Sequence, residues 1–203
     1  MKILKIFVIS SGSLIVLVLL ALFIASKRPD AGIVTASAEL QVPPATVMPW
    51  LTEPEKLKQW VTYLTEVRGD TSEAAVGSKQ LWLMDDGKSG VLTMSTEVTM
   101  YAPPDSMRRS LVVPGLVEGA NTYLLADLGG RTRLTVAGKY HHPNPMVALL
   151  EPIVASEAKA KLRADLAKLG ALLAHEALEG GGSAEGAAGA MEGGPGPGVT
   201  APR

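Results

Sequence analysis

The sequence predicts an α+β fold in which one antiparallel sheet packs against a single long helix. Between residues 33 and 140, six or seven segments of alternating apolar and polar residues are separated by short turn sequences, which is typical of antiparallel strands. From Pro152 to Leu178, apolar residues recur at three- and four-residue steps, as in a helix with one apolar face. A chain of 203 residues has room for one core of ordinary domain size.

The first apolar segment, Ile6 to Ala25, is expected to be a single transmembrane helix. It carries no charge, and it is flanked by Lys2 and Lys5 on one side and by Lys27 and Arg28 on the other. At about 1.5 Å per residue, a helix of this length spans the roughly 30 Å hydrocarbon layer of a bilayer. The segment therefore predicts that the protein is tethered to a membrane.

A cleaved signal peptide is the alternative interpretation of this segment. Leu14 to Ala25 is long enough for the apolar region of such a peptide, and Ala36-Ser37-Ala38 has the small-x-small form of a cleavage site. Because that site lies inside the first predicted strand, we favour an uncleaved anchor. Basic residues flank both ends, and only the α-amino group favours an inside N-terminus, which would place the domain outside the cytoplasm.

The chain divides into five segments by composition. A short flank and the apolar segment are followed by a polar linker, the folded domain and a tail made almost entirely of Gly, Ala, Pro, Ser and Glu. We expect the tail to be disordered, because it cannot bury enough apolar surface to offset the entropy lost on ordering. The predicted segments are 1–5, 6–25, 26–32, 33–179 and 180–203.

Six strands can be delimited in the folded domain. They are Ile33 to Val42, Gly77 to Met84, Val91 to Tyr101, Ser106 to Val113, Asn121 to Leu128 and Arg131 to Tyr140. The turn Asp85-Asp86-Gly87-Lys88 predicts a hairpin, since Asp-Gly accepts positive φ. One face of the third strand is more apolar than the other and is expected to point toward the long helix. It carries Leu92, Met94, Thr96, Val98 and Met100.

Two short helices are predicted after the first strand. Pro44 begins the first helix, where proline is well tolerated, and Glu53-Pro54 ends it. The natural partner of the concave face of the sheet is the apolar stripe of the long helix. That stripe consists of Ile153, Leu162, Leu166, Leu169 and Leu173.

The segment between the first two predicted strands resembles a known superfamily. Its pattern is Pro43-Pro44, Val47, Leu51, Thr52-Glu53-Pro54, Leu57 and Trp60. With the order of the elements, this is similar to the START-like (SRPBCC) superfamily and, within it, to the polyketide cyclase/dehydrase-like branch. The resemblance covers about Ile33 to Glu179. It implies a helix-grip fold, in which a curved sheet wraps around a C-terminal helix and a hydrophobic molecule is held between them.

We therefore expect a membrane-tethered domain that binds or transfers a lipid or another hydrophobic small molecule. The side chains expected to line its cavity come from the inner face of the sheet and from the long helix. They are Trp82, Met94, Val98, Leu111, Tyr123, Val136, Leu162 and Leu166. The same side chains would form a solid core if no cavity exists.

Two other functions remain open from the sequence. An enzyme of the cyclase or dehydratase type would use Tyr123, His141 or Glu97 as acid or base. A protein-interaction module would have a filled core and an exposed apolar patch. Since a fold alone does not convey chemistry, we expect binding rather than catalysis, and we assign no catalytic residue.

Arg109 has the same strand parity as Met107 and Leu111, which points it inward. An inward arginine would be an anchor for the acidic head group of a ligand. The alternative is an ion pair across the sheet in which Arg109 or Arg133 reaches Glu97.

Composition excludes several classes of site. A formal charge of -1 gives no basic face for nucleic acid, and the absence of cysteine excludes disulfides and thiolate chemistry. His141 and His142 are adjacent on a strand, so they point in opposite directions and do not chelate one metal. We expect neither a metal nor a cofactor.

Overall fold

In the folded domain, the described residues form a seven-stranded antiparallel sheet, two short helices and one long helix. The computed structural model describes residues 16–21, 23–24, 32–70, 74–88, 90–144, 147 and 150–188. The elements are β1 (Ile33–Leu40), α1 (Pro44–Thr52), α2 (Pro54–Trp60), β2 (Leu64–Gly69), β3 (Lys79–Asp85), β4 (Val91–Ala102), β5 (Ser106–Val113), β6 (Val117–Asp127), β7 (Thr132–His141) and α3 (Glu151–Ala188). The predicted α+β, helix-grip-like arrangement is confirmed.

The strands form one sheet in the order β1-β7-β6-β5-β4-β3-β2. From β2 to β7 each strand pairs with the next one in sequence, and only β1 crosses over to pair with β7. Along β7 the burial alternates, so that Leu134 and Val136 face the core while Arg133 and Lys139 face solvent. This alternation gives the sheet one apolar inner face and one polar outer face.

One prediction for β4 is wrong because the strand contains a bulge. Met94, Thr96 and Val98 face inward as expected, but the register with β5 shifts between Val98 and Met100. An extra residue in a strand reverses the side-chain parity beyond it. Met100 is therefore exposed on the outer side, and Tyr101 packs against the core in its place.

The two short helices are held together by buried tryptophans. Pro44 and Pro54 each occupy the first turn of their helix, as the sequence predicts. The indole N–H of Trp60 donates a hydrogen bond of 2.8 Å to the carbonyl of Trp50. The indole N–H of Trp50 donates one of 3.1 Å to Glu176 on α3. The Pro43 to Trp60 motif thus fastens α1 and α2 to each other and to the long helix.

The first turns and the middle of α3 pack differently. Leu166, Leu169 and Leu173 are each at most 1% exposed and press on the rest of the domain. Ile153, expected to belong to the same stripe, is 50% exposed, so this prediction is wrong. The side chain of Ile153 is apolar, but the first turns of α3 do not bring it into contact with the inner face of the sheet. Asp165 marks the boundary, because its buried carboxylate accepts hydrogen bonds from the backbone N–H of Thr62 and from the hydroxyl of the same residue.

Both terminal segments extend beyond the described residues. Of the expected membrane segment, Ile6 to Ala25, only residues 16–21, 23 and 24 are described, and they are helical. No helix in the described part of the chain is long and apolar enough to cross a membrane.

At the C-terminal end, α3 continues to Ala188, into the segment expected to be disordered, since extending an existing helix costs far less than starting one. Residues 189–203 lie outside the description.

A cavity between the sheet and the long helix

A cavity of about 470 Å³ lies between the N-terminal half of α3 and the inner face of the sheet. The helix contributes Ala155 and Ala158 where it faces the sheet, and these short side chains leave the intervening space unfilled. Most of the wall is apolar. The apolar side chains are Val34, Trp60, Val61, Met84, Leu92, Met94, Leu111, Leu116, Val117, Val136, Val147, Val154, Ala155, Ala158 and Leu162. A volume of this size lies within the range of about 300–1,000 Å³ found for small-molecule sites.

The structure brings five of the eight expected lining residues to this cavity. They are Met94, Leu111, Tyr123, Val136 and Leu162. Trp82, Val98 and Leu166 do not line it, although all three are buried on the inner side. These three pack in the solid part of the core, where the helix and sheet are in contact. Ligand binding by the five residues that do line the cavity stays a prediction.

Three polar side chains stand together on the wall formed by β6 and β7. The hydroxyl of Tyr140 donates a hydrogen bond of 2.6 Å to the amide oxygen of Asn121, and Tyr123 lies on the same face. Gly138 makes this possible, because the ring of Tyr140 lies over it. A Cβ at Gly138 would be 2.6 Å from the Cζ atom of that ring. The absence of a side chain at this position therefore aims the Tyr140 hydroxyl along the strand toward Asn121.

Burial keeps both tyrosines protonated. It raises the pKa of Tyr140 to about 12, an effect reinforced by the neighbouring Tyr123 and opposed by the hydrogen bond to Asn121. Burial also raises the pKa of Tyr123 above its ordinary value, against the influence of Arg109 and Asn121. At neutral pH these hydroxyls act as hydrogen-bond donors and acceptors and not as bases.

Arg109 lies on the inner face of β5, as its parity predicts, and is 3% exposed. Its guanidinium carbon is 4.8 Å from the centre of the Trp82 ring, and its Nη2 donates a hydrogen bond of 3.3 Å to the carbonyl of Leu51. The Nε and Nη1 atoms have no hydrogen-bond partner among the described residues. Burial lowers the pKa of Arg109 from its ordinary value, but guanidinium still stays charged at neutral pH.

The alternative of an ion pair between Arg109 and Glu97 is not what forms. Glu97 lies across from Lys79, with 3.8 Å between the carboxylate oxygen and Nζ, and Arg133 pairs at 2.7 Å with Glu39. Arg109 is next to the cavity and not in its wall. Its neighbour on the same face, Leu111, lines the wall.

At the end of the cavity away from Arg109, the cavity opens between exposed apolar side chains. Leu92, Leu116 and Val154 line it and are 41%, 39% and 39% exposed. His142 also lines this end, with its Nδ1 atom 2.9 Å from the carbonyl oxygen of Leu116. These exposed residues define the mouth.

Several lining residues were missed by the sequence interpretation. Asp165 and Lys161, joined by an ion pair of 3.1 Å, line the cavity but were not among the expected lining residues. Both lie at helical spacing from Ala158, which places them on the same face of α3. Asn121 was missed as well. It lies two residues before Tyr123 on the same strand, so strand parity places both side chains on the inner face.

The acid and base candidates of the enzymatic alternative are not brought together. Glu97 and His141 border shallow depressions on the outer side of the sheet, and only Tyr123 reaches the cavity. The interaction-module alternative requires a filled core, whereas the space between sheet and helix is unfilled. The described residues contain no group of three or more His, Cys, Asp or Glu side chains suited to a metal ion.

The sequence of the folded part identifies the family of this domain. Residues 31–174 match the family described as polyketide cyclase / dehydrase and lipid transport, and the chain belongs to this family. Comparison with curated proteins found no match.

Solved structures share the fold at low sequence identity. A protein from Nitrosomonas europaea superposes with a TM-score of 0.60 and 17% identity, covering 74% of this chain and 99% of that chain. A protein from Arthrobacter aurescens gives a TM-score of 0.58 and 20% identity, covering 73% and 90%. DynU16, from the dynemicin biosynthetic locus, gives a TM-score of 0.52 and 17% identity, covering 70% and 47%. At these identities the likeness establishes the fold alone.

Proposed function

We propose that this protein binds a lipid or another largely apolar small molecule in the cavity between the sheet and α3. The observation that carries the proposal is the cavity itself, about 470 Å³ in volume and walled mainly by aliphatic side chains. Transfer of such a molecule from water into an apolar site is favourable by roughly 25 cal/mol per Å² of apolar surface removed from water. The family description includes lipid transport, which agrees with this assignment. Binding is favoured over catalysis because only one of the three acid and base candidates reaches the cavity.

We further propose that the domain works next to a membrane, tethered by Ile6 to Ala25. The support is the uncharged apolar sequence of that segment and the place where it joins the domain. Gly32, at the start of the folded part, lines the cavity. The tether would therefore hold the cavity close to the bilayer and shorten the path of a lipid into it.

Filling the cavity should abolish binding without unfolding the domain. Ala158→Trp places an indole in the space that the methyl group of Ala158 leaves unfilled. The control, Ala160→Trp, adds the same indole on the exposed side of the same helix. The measurement is a fluorescence titration of the full-length chain with cis-parinaric acid, with circular dichroism as the check on folding. We expect the affinity of Ala158→Trp to fall by about tenfold or more, equivalent to about 1.4 kcal/mol, and that of Ala160→Trp to stay unchanged.

Two results would contradict the proposal. One is a wild-type chain that binds no apolar probe and yields no apolar molecule on organic extraction and mass spectrometry. The other is a folded Ala158→Trp variant with normal affinity, which would mean that the ligand lies elsewhere.

A further inference from the structure

The end of the cavity away from the mouth, called the inner end here, lies beside Arg109. The described residues do not neutralise the positive charge of this side chain. Asp165 and Lys161 line the cavity as a pair, with 3.1 Å between their charged atoms, so together they are neutral. Arg109 has no such partner, since no carboxylate of the described residues lies within 4.0 Å of its guanidinium nitrogens. A buried cation without an anion is costly, and proteins normally pair it.

Contacts within the described part of the fold use only a small part of the hydrogen-bonding capacity of Arg109. The Trp82 ring covers a face of the guanidinium, but the N–H groups point outward in its plane. Only Nη2 has a hydrogen bond, and at 3.3 Å to the Leu51 carbonyl it is long. Nε and Nη1 remain without an acceptor although the side chain is only 3% exposed.

Neutral donors stand between this charge and the cavity. Asn121 is the cross-strand partner of Arg109 on β6, and Tyr123 follows it on the same face. Both line the cavity. The oxygen of the Asn121 amide already accepts the hydrogen bond from Tyr140, which leaves the amide N–H groups as the donors it can offer to a ligand.

We propose that the cavity selects an amphipathic ligand whose carboxylate lies at the inner end, beside Asn121 and Tyr123, with Arg109 supplying the opposite charge. This inference rests on the proposed binding function and adds the chemical class of the ligand. The apolar body of the ligand lies between Leu111 and Leu162 and extends toward the mouth. The carboxylate accepts hydrogen bonds from the wall, and the guanidinium behind the wall stabilises its charge.

The test compares two probes that share one acyl chain, cis-parinaric acid, whose carboxylate is charged, and its methyl ester, which is neutral. Each is titrated into the full-length wild-type chain, Arg109→Met and Arg108→Met. The last variant removes an exposed arginine from the outer face of the same strand and is the matched control. In the wild type we expect the acid to bind at least about tenfold more tightly than the ester. This is the attraction expected between opposite charges several ångströms apart at an effective dielectric constant near 20. Arg109→Met should bring the ratio of the two affinities close to one, and Arg108→Met should leave it as in the wild type.

The outcomes separate this inference from the proposed function. Equal binding of both probes by the wild type would overturn the inference and leave the binding function standing, whereas binding of neither would overturn both. A folded Arg109→Met that still prefers the acid would also overturn it. If Arg109→Met does not fold, Arg109→Lys retains a positive charge and must keep a preference for the acid.

Discussion

At the scale of single residues, Gly138 and Tyr140 determine how the polar part of the cavity wall is built. The Tyr140 ring occupies the place where a side chain of residue 138 would stand, and its hydroxyl therefore reaches Asn121 at 2.6 Å. This arrangement has an electrostatic consequence, because the ring is partly buried and this burial raises the pKa of Tyr140 to about 12. A tyrosine in the unfolded chain titrates near pH 10.

The raised pKa of Tyr140 predicts a loss of stability at alkaline pH. The folded state holds the phenolic proton more tightly than the unfolded state does, so this contribution is complete below about pH 10 and is lost as the pH rises through about 12. We expect the urea midpoint of the wild type to fall over this interval. In Tyr140→Phe the fall should be shallower, although the raised pKa of Tyr123 will keep part of it.

The control for this experiment is Tyr63→Phe, which replaces a tyrosine that is 50% exposed. Its midpoint should follow that of the wild type across the alkaline range. Identical curves for Tyr140→Phe and Tyr63→Phe would contradict the assignment of the effect to the buried hydroxyl.

At the scale of elements, the middle of α3 stabilises the fold. Leu166, Leu169 and Leu173 are buried at helical spacing, and Asp165 fixes the helix to the backbone of Thr62. The first turns of α3 make fewer buried contacts, since Ile153 and Val154 are exposed and Ala158 borders the cavity. Stability is thus concentrated in the middle of the helix.

Leu166→Asp should unfold the domain or reduce its stability severely. An unpaired carboxylate in this apolar position costs several kcal/mol, and the whole stability of a domain is about 5–15 kcal/mol. Lys168→Asp, on the exposed side of the same turn, should change the stability little. Thermal unfolding followed by circular dichroism compares the two variants, and equal melting temperatures would show that the buried face is misassigned.

The sequence predicted which side of each element faces the core better than it predicted where the core is filled. Strand parity correctly placed Met94, Leu111, Tyr123 and Val136 on the inner face, because alternation is a local property of a strand. It could not distinguish Val98, in the solid core, from Met94, in the cavity wall. That difference depends on how far the helix stands from the sheet.

Other misses have local causes. The bulge after Val98 reverses parity without any glycine or proline to mark it. The strand β2 is short and lies at an edge of the sheet, and most of its side chains are exposed, so its sequence shows little alternation. The missing partner of Arg109 cannot be predicted from sequence at all, since it depends on the position of every carboxylate in the fold.

At the scale of the whole molecule, the main feature is that the N-terminal segment enters the domain beside the cavity. The N-terminal segment enters the domain at Gly32, where the backbone passes close to Tyr140 and Glu151. The hydrogen bond of 2.9 Å from the Tyr140 N–H to the Gly32 carbonyl fixes this entry to β7. The proposed membrane segment precedes Gly32 in the chain, so it would join the domain at a residue that lines the cavity.

The mature protein should keep its N-terminus and remain in the membrane fraction. If Ile6 to Ala25 is an uncleaved span, the chain will resist extraction by alkaline carbonate, because removing an apolar helix from the bilayer is unfavourable. N-terminal sequencing should then find Met1 or a residue next to it. A mature terminus after Ala38, or a chain released by carbonate, would contradict the tether.

The unequal packing of α3 also bears on how a domain of this kind can change during evolution. Substitutions at Ala155, Ala158 or Leu162 alter the shape of the cavity but leave the buried leucines farther along the helix in place. The shape of the cavity can therefore change while the ability of the chain to fold is preserved. A fold that is held by a short buried part of one helix tolerates wide change elsewhere, and structural relatives share it at sequence identities as low as 16%.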